Sequence, residues 1–193
     1  MFKRLLPVLL LMMISASPVN ACVGRILNVG MVDTPAGRVM AETIALMITE
    51  RTGTTVNTNY FSTAEELYNE VRQEKIGIIV ENTSRALEVL GLEKDPDHEQ
   101  AYLRAKEGYR KEMNLIWLTP FKFVHSVDPD RKTAVAVVLS LQVMTDFPGL
   151  QRLLNKLAAK MEDPDYARLL AQVKAGVKPA RAARDFLEMK KLI

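Results

Sequence analysis

Arg25-Ile-Leu-Asn-Val-Gly-Met-Val32 runs without a break into Asp33-Thr34-Pro35. The first stretch is apolar and rich in strand formers. The second is a helix start, with Thr34 as N-cap and Pro35 at the first helical position. Met40, Ile44, Met47 and Ile48 then recur at helical spacing on one face, and Gly53 suits the left-handed stop after them. A buried strand that passes at once into a long one-faced helix is the building unit of an open α/β sheet.

The unit repeats outward from there. Thr54 to Phe61 reads as a second strand with polar alternation. Ser62-Thr-Ala-Glu65 has the form of a capping box, opening a helix with Ala64, Leu67, Tyr68 and Val71 on its inner face. Ile76-Gly-Ile-Ile-Val80 is a third, buried strand; a helix from Asp97 to Met113 and a fourth strand from Asn114 to Thr119 follow. The order β-α-β-α-β-α-β predicts a three-layer α-β-α domain around a mostly parallel sheet. After Pro120 the pattern changes. Phe121 to Val127 and Thr133 to Leu139 are strand-like and are separated only by the polar turn cluster Asp128-Pro-Asp-Arg-Lys132. Three helices close the chain, with inner faces Leu150/Leu153/Leu154/Leu157, Tyr166/Leu169/Leu170/Val173 and Ala182/Ala183/Phe186/Leu187. No internal repeat and no linker divides residues 22–193, so one domain is expected there.

Composition narrows the function. The chain has 193 residues, 48% hydrophobic and 25% charged, which excludes a disordered polymer and a large multidomain enzyme. The formal charge of +3 falls to +1 when Lys3 and Arg4 are set aside. Basic and acidic residues interleave along the helices, so no electrostatic footprint for nucleic acid forms. Residues 1–21 read as a secretory signal peptide: a basic start, an apolar run from Leu5 to Ala16, and a small-residue site at Val19-Asn20-Ala21. The run is shorter than the roughly 20 apolar residues of a membrane span. Cys22, the only cysteine, follows that site, so the alternatives are lipoprotein processing with acylation of Cys22 or cleavage by the general signal peptidase. Either places the mature protein outside the cytoplasm, in the periplasm or on the outer face of the membrane.

The chemistry-bearing residues are few. His98 lies in a charged helix start and His125 in a strand-like stretch; with one cysteine besides, no zinc-ligand pattern forms. There is no Gly-x-Ser-x-Gly elbow and no phosphate-binding glycine loop. Glu65-Glu66 and Asp163/Asp165 stand at helix starts, where carboxylates complement the helix dipole. The expectation is therefore no enzyme, no metal and no cofactor.

Several segments, in order, resemble the extracytoplasmic solute-binding proteins of ABC transporters for glycine betaine, choline and related osmoprotectants. Ile26-Leu-Asn-Val-Gly-Met is similar to the family's opening strand, and Ala41 to Gly53 to its first helix. Glu74-Lys-Ile-Gly-Ile-Ile-Val-Glu-Asn-Thr83 resembles a segment that in the family usually reads Gly-Glu-Ile-Asp-Ile-Tyr-Pro-Glu-Tyr-Thr-Gly-Thr. Tyr109 to Pro120 is similar to the stretch before the crossover to a second lobe, and Leu150 to Ala158 with Ala183 to Ile193 to the C-terminal helices. The resemblance implies a periplasmic-binding-protein-like fold working with a permease. It also marks two departures. The family inserts its second lobe after the equivalent of Pro120-Phe-Lys-Phe123, whereas here Thr133 to Val137, similar to the return strand, follows the turn at 128–132 directly, so the resemblance implies a chain without the second lobe. The family's cage tyrosines are replaced by Ile79 and Asn82, and the following Gly-Thr by Ser84-Arg85. Quaternary ammonium groups are held by aromatic faces, and a nearby Arg would repel them.

What the resemblance retains is the polar part of the site. Asp33 and Thr34 follow the first strand, Ser62 and Thr63 the second, and Asn82, Thr83 and Arg85 the third. All fall at carboxyl ends of strands, where open α/β sheets hold ligands and helix N-termini favour anionic groups. The alternative is that Thr34, Ser62 and Thr63 only cap their helices, with Arg85 a solvated first-turn residue. The reading is a one-lobed solute-binding component with weak or altered binding of a small zwitterionic or anionic solute. Its partners would be an ABC permease or a second copy of the chain. The other reading is a periplasmic interaction protein that keeps the lobe as a scaffold. On either reading, mass spectrometry of exported protein should show a chain beginning at Cys22, with or without acylation; an intact Met1 on cytoplasmic material would refute the signal peptide.

Overall fold

The computed structural model describes residues 26–125 and 133–193. The segment 1–21, Cys22 and the turn Asp128–Lys132 lie outside the described residues. Strand β1 (Leu27–Val32) leads into helix α1 (Pro35–Thr52), which begins and ends as its caps dictate. Thr34 is extended and its hydroxyl accepts from the Gly37 N–H; Gly53 closes the helix at φ 70° with its own N–H donated to Thr49. Then come β2 (Val56–Phe61), α2 (Ala64–Arg72), β3 (Ile78–Asn82) and α3 (Thr83–Val89). Helix α4 (His98–Met113), β4 (Leu115–Trp117), β5 (Val124–His125) and β6 (Thr133–Ser140) follow. The chain ends in α5 (Leu141–Asp146), α6 (Leu150–Lys160), α7 (Asp163–Lys174) and α8 (Pro179–Met189).

The sheet order is β2-β1-β3-β6-β4, with β5 also on β6. β1 pairs in parallel with β2 and β3, while β6 runs antiparallel to β3 and to β4. Every strand but β6 therefore points the same way, and the sheet is mostly parallel. Residues 115–125 follow the free edge of β6 from Ser140 down to Thr133, linked on the way by the Leu118 and Phe121 N–H groups to the Val137 and Val135 carbonyls.

Alternation along β3 and β6 separates two cores. Ile78, Val80, Val135, Val137 and Leu139 face a cluster built with α1, α6, α7 and α8. Ile79, Ala136 and Val138 face the opposite cluster, built with α2, α3 and α4. Helices thus cover both faces, giving three layers. The inner faces expected for α1 and the last three helices are the buried or half-buried ones.

Four details differ from the sequence reading. The cap of α2 is Thr63, not Ser62: the Thr63 hydroxyl accepts from the Glu66 N–H at 3.1 Å, and the Glu66 carboxylate reaches back to the Ser62 N–H at 2.9 Å. The box is shifted by one because β2 pairs with β1 through Phe61 and leaves Ser62 as a bend. The third strand lies two residues later than expected, since β6 pairs with it through Asn82. The fourth is short, because Asn114 is taken by the left-handed end of α4. Helices α3 and α5 are too brief to show a period.

Gly37 decides how closely α1 can approach β1. A Cβ there would collide with the Val32 carbonyl oxygen, a backbone atom that cannot swing away. Gly37→Ala should cost about 1–3 kcal/mol in urea unfolding, as overpacking does. Gly53→Ala has open space, and only its positive φ resists, costing about 1–2 kcal/mol. Equal, negligible effects at both positions would contradict this packing.

Candidate functional site

The carboxyl ends of β1 and β3 and the N-termini of α1 and α3 enclose a cleft of about 200 Å³. Thr34, Asn82 and Arg85 line it together with Glu81, Phe123 and Tyr166. Of the residues singled out by sequence, these three converge. Asp33 does not line the cleft: Arg38 holds it through two bonds, 2.5 and 2.8 Å, and this hydrogen-bonded guanidinium lowers its pKa. Ser62 and Thr63 are exposed at the end of β2, one strand away, and Thr83 is buried as the first residue of α3. Ile79, which stands where the family has a cage tyrosine, faces the α2–α4 core and is not part of the cleft wall.

Each polar lining residue owes its position to a local rule. Thr34 and Asn82 are N-caps, their side-chain oxygens accepting from Gly37 and Arg85 N–H at 2.9 Å in both cases. Arg85 comes three residues after its cap and is thereby turned back toward the end of β3. There its Nε donates to both oxygens of Glu81, at 2.8 and 2.9 Å. The Glu81 carboxylate is fully buried, while the Arg85 side chain is 30% exposed.

Sequence reading missed the environment of Glu81. Besides Arg85, the carboxylate accepts from the Asn82 N–H at 2.7 Å and the Tyr68 hydroxyl at 2.6 Å. Tyr68 shares a further short hydrogen bond with the buried Tyr109 hydroxyl. The Tyr109 ring meets Tyr68 and Trp117 edge to face, at 6.2 and 5.4 Å, which fixes where its hydroxyl points. Burial works against the Arg85 charge, yet the adjacent carboxylate outweighs it and raises its pKa, so the group stays protonated. On the other wall Phe121, Phe123 and Tyr166 form a stack, with Phe123 and Tyr166 nearly parallel at 4.1 Å. The cleft has an aromatic wall, supplied by residues outside the segment that resembles the family motif. Among the described residues no cluster of His, Cys, Asp and Glu could hold a metal ion, and no helix is long and apolar enough to cross a membrane.

This fold, an open sheet between helical layers with a cleft at its strand ends, is the periplasmic-binding-protein fold. No family model and no curated protein matches the chain. Solved structures do. A glycine betaine/carnitine/choline ABC transporter structure matches with a TM-score of 0.79 at 11% identity, over 88% of this chain and 99% of that chain. Unliganded YehZ of Escherichia coli matches with 0.79 at 12% identity, over 88% and 100%. A choline-binding protein in complex with choline gives 0.54 at 10% identity, over 86% and 89%. The chain is similar in fold to substrate-binding proteins of glycine betaine and choline transporters. These neighbours are solute-binding proteins rather than enzymes.

All five tyrosines share one electrostatic trait. Burial, the largest cause in each, raises their pKa values, helped at Tyr68 and Tyr109 by the Glu81 charge; Tyr60 is pushed up to about 12. The folded state thus favours neutral phenols. That contribution is complete below the unfolded pKa near 10 and is lost as pH rises through the folded values. Absorbance at 295 nm should show the native tyrosines ionising at higher pH than the chain in guanidinium, which ionises near 10, with Tyr60 at about 12. Coincident curves would contradict the buried network.

Proposed function

We propose that this chain is the extracytoplasmic solute-binding component of an ABC transporter of the glycine betaine/osmoprotectant type, reduced to one lobe over residues 22–193. One observation carries the reading. Phe123 and Val135, which line the cleft, flank the connection at which the family's second lobe would be inserted. On this reading, a second surface would close over a ligand from the side of Phe123 and Val135. Fold similarity to osmoprotectant-binding proteins supports the transport assignment, and the segment 1–21 supports a periplasmic or outer-face location.

A single wall limits affinity. Ligand pockets usually span about 300–1,000 Å³ and bury 70–90% of a small molecule. At about 200 Å³ this cleft falls below that range. Thr34, Asn82 and Arg85 form its polar end, and Asp33, Ser62, Thr63 and Thr83 remain outside its lining. A permease or a second copy of the chain would complete the enclosure. The scaffold alternative draws on one specific fact: the side-chain oxygens of Thr34 and Asn82 are already engaged as caps.

Calorimetry on the isolated monomer tests the proposal. Glycine betaine and choline should bind no tighter than about 1 mM, or roughly −4 kcal/mol. Binding should tighten when a permease is supplied in detergent or nanodiscs. Micromolar binding by the monomer would overturn the reduced-lobe reading, and no binding even with permease would favour the scaffold.

A further inference from the structure

Resting on the reading of this cleft as a solute site, we infer that Glu81 is a specificity-determining residue that cancels the charge of Arg85, so that the cleft does not prefer anions. Among the described residues that line the cleft, Glu81 and Arg85 are the only charged side chains. They are bonded to each other at 2.8 Å, so the described lining carries no net charge. Asp33, next in sequence to the lining residue Thr34, is likewise compensated, by Arg38.

The arrangement separates two properties of a guanidinium. Nε is spent on Glu81, and among the described residues neither terminal nitrogen makes a hydrogen bond. Arg85 keeps donors for an acceptor on the solute, while its long-range attraction for a full negative charge is offset from behind. Glu81 cannot swing away to bind a solute cation itself. Arg85, the Asn82 N–H and the Tyr68 hydroxyl surround its carboxylate, and it has no exposed surface. Four hydrogen bonds hold the compensating charge in a fixed place. An Arg at this position does not by itself make an anion site.

Propionate and propionamide provide the test, having nearly the same size and shape and differing by one charge. Binding to full-length mature protein is followed by NMR shifts of cleft resonances at constant ionic strength, which reads dissociation constants in the millimolar range. In the wild type the two probes should bind within about threefold of each other. In Glu81→Gln, which keeps shape and acceptor, propionate should gain about tenfold or more over propionamide, as an uncompensated charge at short range requires. Glu81→Asp, which keeps the charge, should retain the wild-type ratio. So should Glu107→Gln, which alters net charge equally on an exposed part of α4. Thermal unfolding identifies any variant that does not fold; if Glu81→Gln fails to fold, Glu81→Asp together with Tyr68→Phe, which removes a hydrogen bond but no charge, must keep the wild-type ratio. Probes that bind the cleft with a ratio unmoved by Glu81→Gln, or equally moved by Glu107→Gln or Tyr68→Phe, overturn the inference and leave the cleft assignment standing. Absence of any shift at the cleft with either probe overturns both.

Discussion

The architecture depends on one constraint, that β3 and β6 lie between two cores and must satisfy both. Side chains alternate across a strand, so each residue's place in the register assigns it to a layer. Ile78 and Val80 go to the α1 side, and Ile79 and Glu81 to the side of α2 and α4. A slip of one residue would put Glu81 among Met40, Val137 and Leu157 and turn Val80 toward Tyr68. The antiparallel ladder from Ile78–Leu139 to Asn82–Val135 forbids it. The position of the site follows. Asn82 is the last residue of the ladder, so β3 must end there, its side chain caps α3, and Arg85 returns over the buried carboxylate.

The parts legible in the sequence are those fixed by neighbours along the chain. Thr34, Pro35 and Gly53 announce α1 because caps are local devices, and the Leu150/Leu154/Leu157 and Ala182/Ala183/Phe186 faces show the helical period directly. The convergence of Thr34, Asn82 and Arg85 was visible as well, since all follow strands of a parallel sheet. The rest depends on distant partners. Nothing local says that β6 enters between β3 and β4, and this late strand is what extends β3 to Asn82. Ser62 and Thr63 are equally good caps in isolation; pairing of β1 with β2 through Phe61 selects Thr63. Glu81 shows no sign of its role in sequence. Its tyrosine partners stand 13 residues before it and, through Tyr68, 41 residues beyond that tyrosine.

Folding stability alone does not account for Glu81. Removing a carboxylate and a guanidinium from water costs several kcal/mol per ion, and well-packed apolar residues in place of a buried ion pair are often as stable or more so. A Leu or Met would suit a buried strand end beside Tyr68. The structure instead commits two tyrosine hydroxyls, a backbone N–H and an arginine to keeping one carboxylate in place. With so many donors, the pair is held without strain, but removing either ion alone would leave the other uncompensated, at about 3–5 kcal/mol.

This coupling bears on how the chain departs from the proteins it resembles. In a wholly apolar surrounding Arg85 would be an unpaired cation at the edge of the sheet. Glu81 supplies the partner. Among the described residues, the cleft combines hydrogen-bond donors, an aromatic wall of Phe123 and Tyr166, and a compensated charge pair. Donors without net charge discriminate by shape and hydrogen bonding, which act only at close range. On the proposed reading, a second surface that brings the solute into close contact would make such donors more effective.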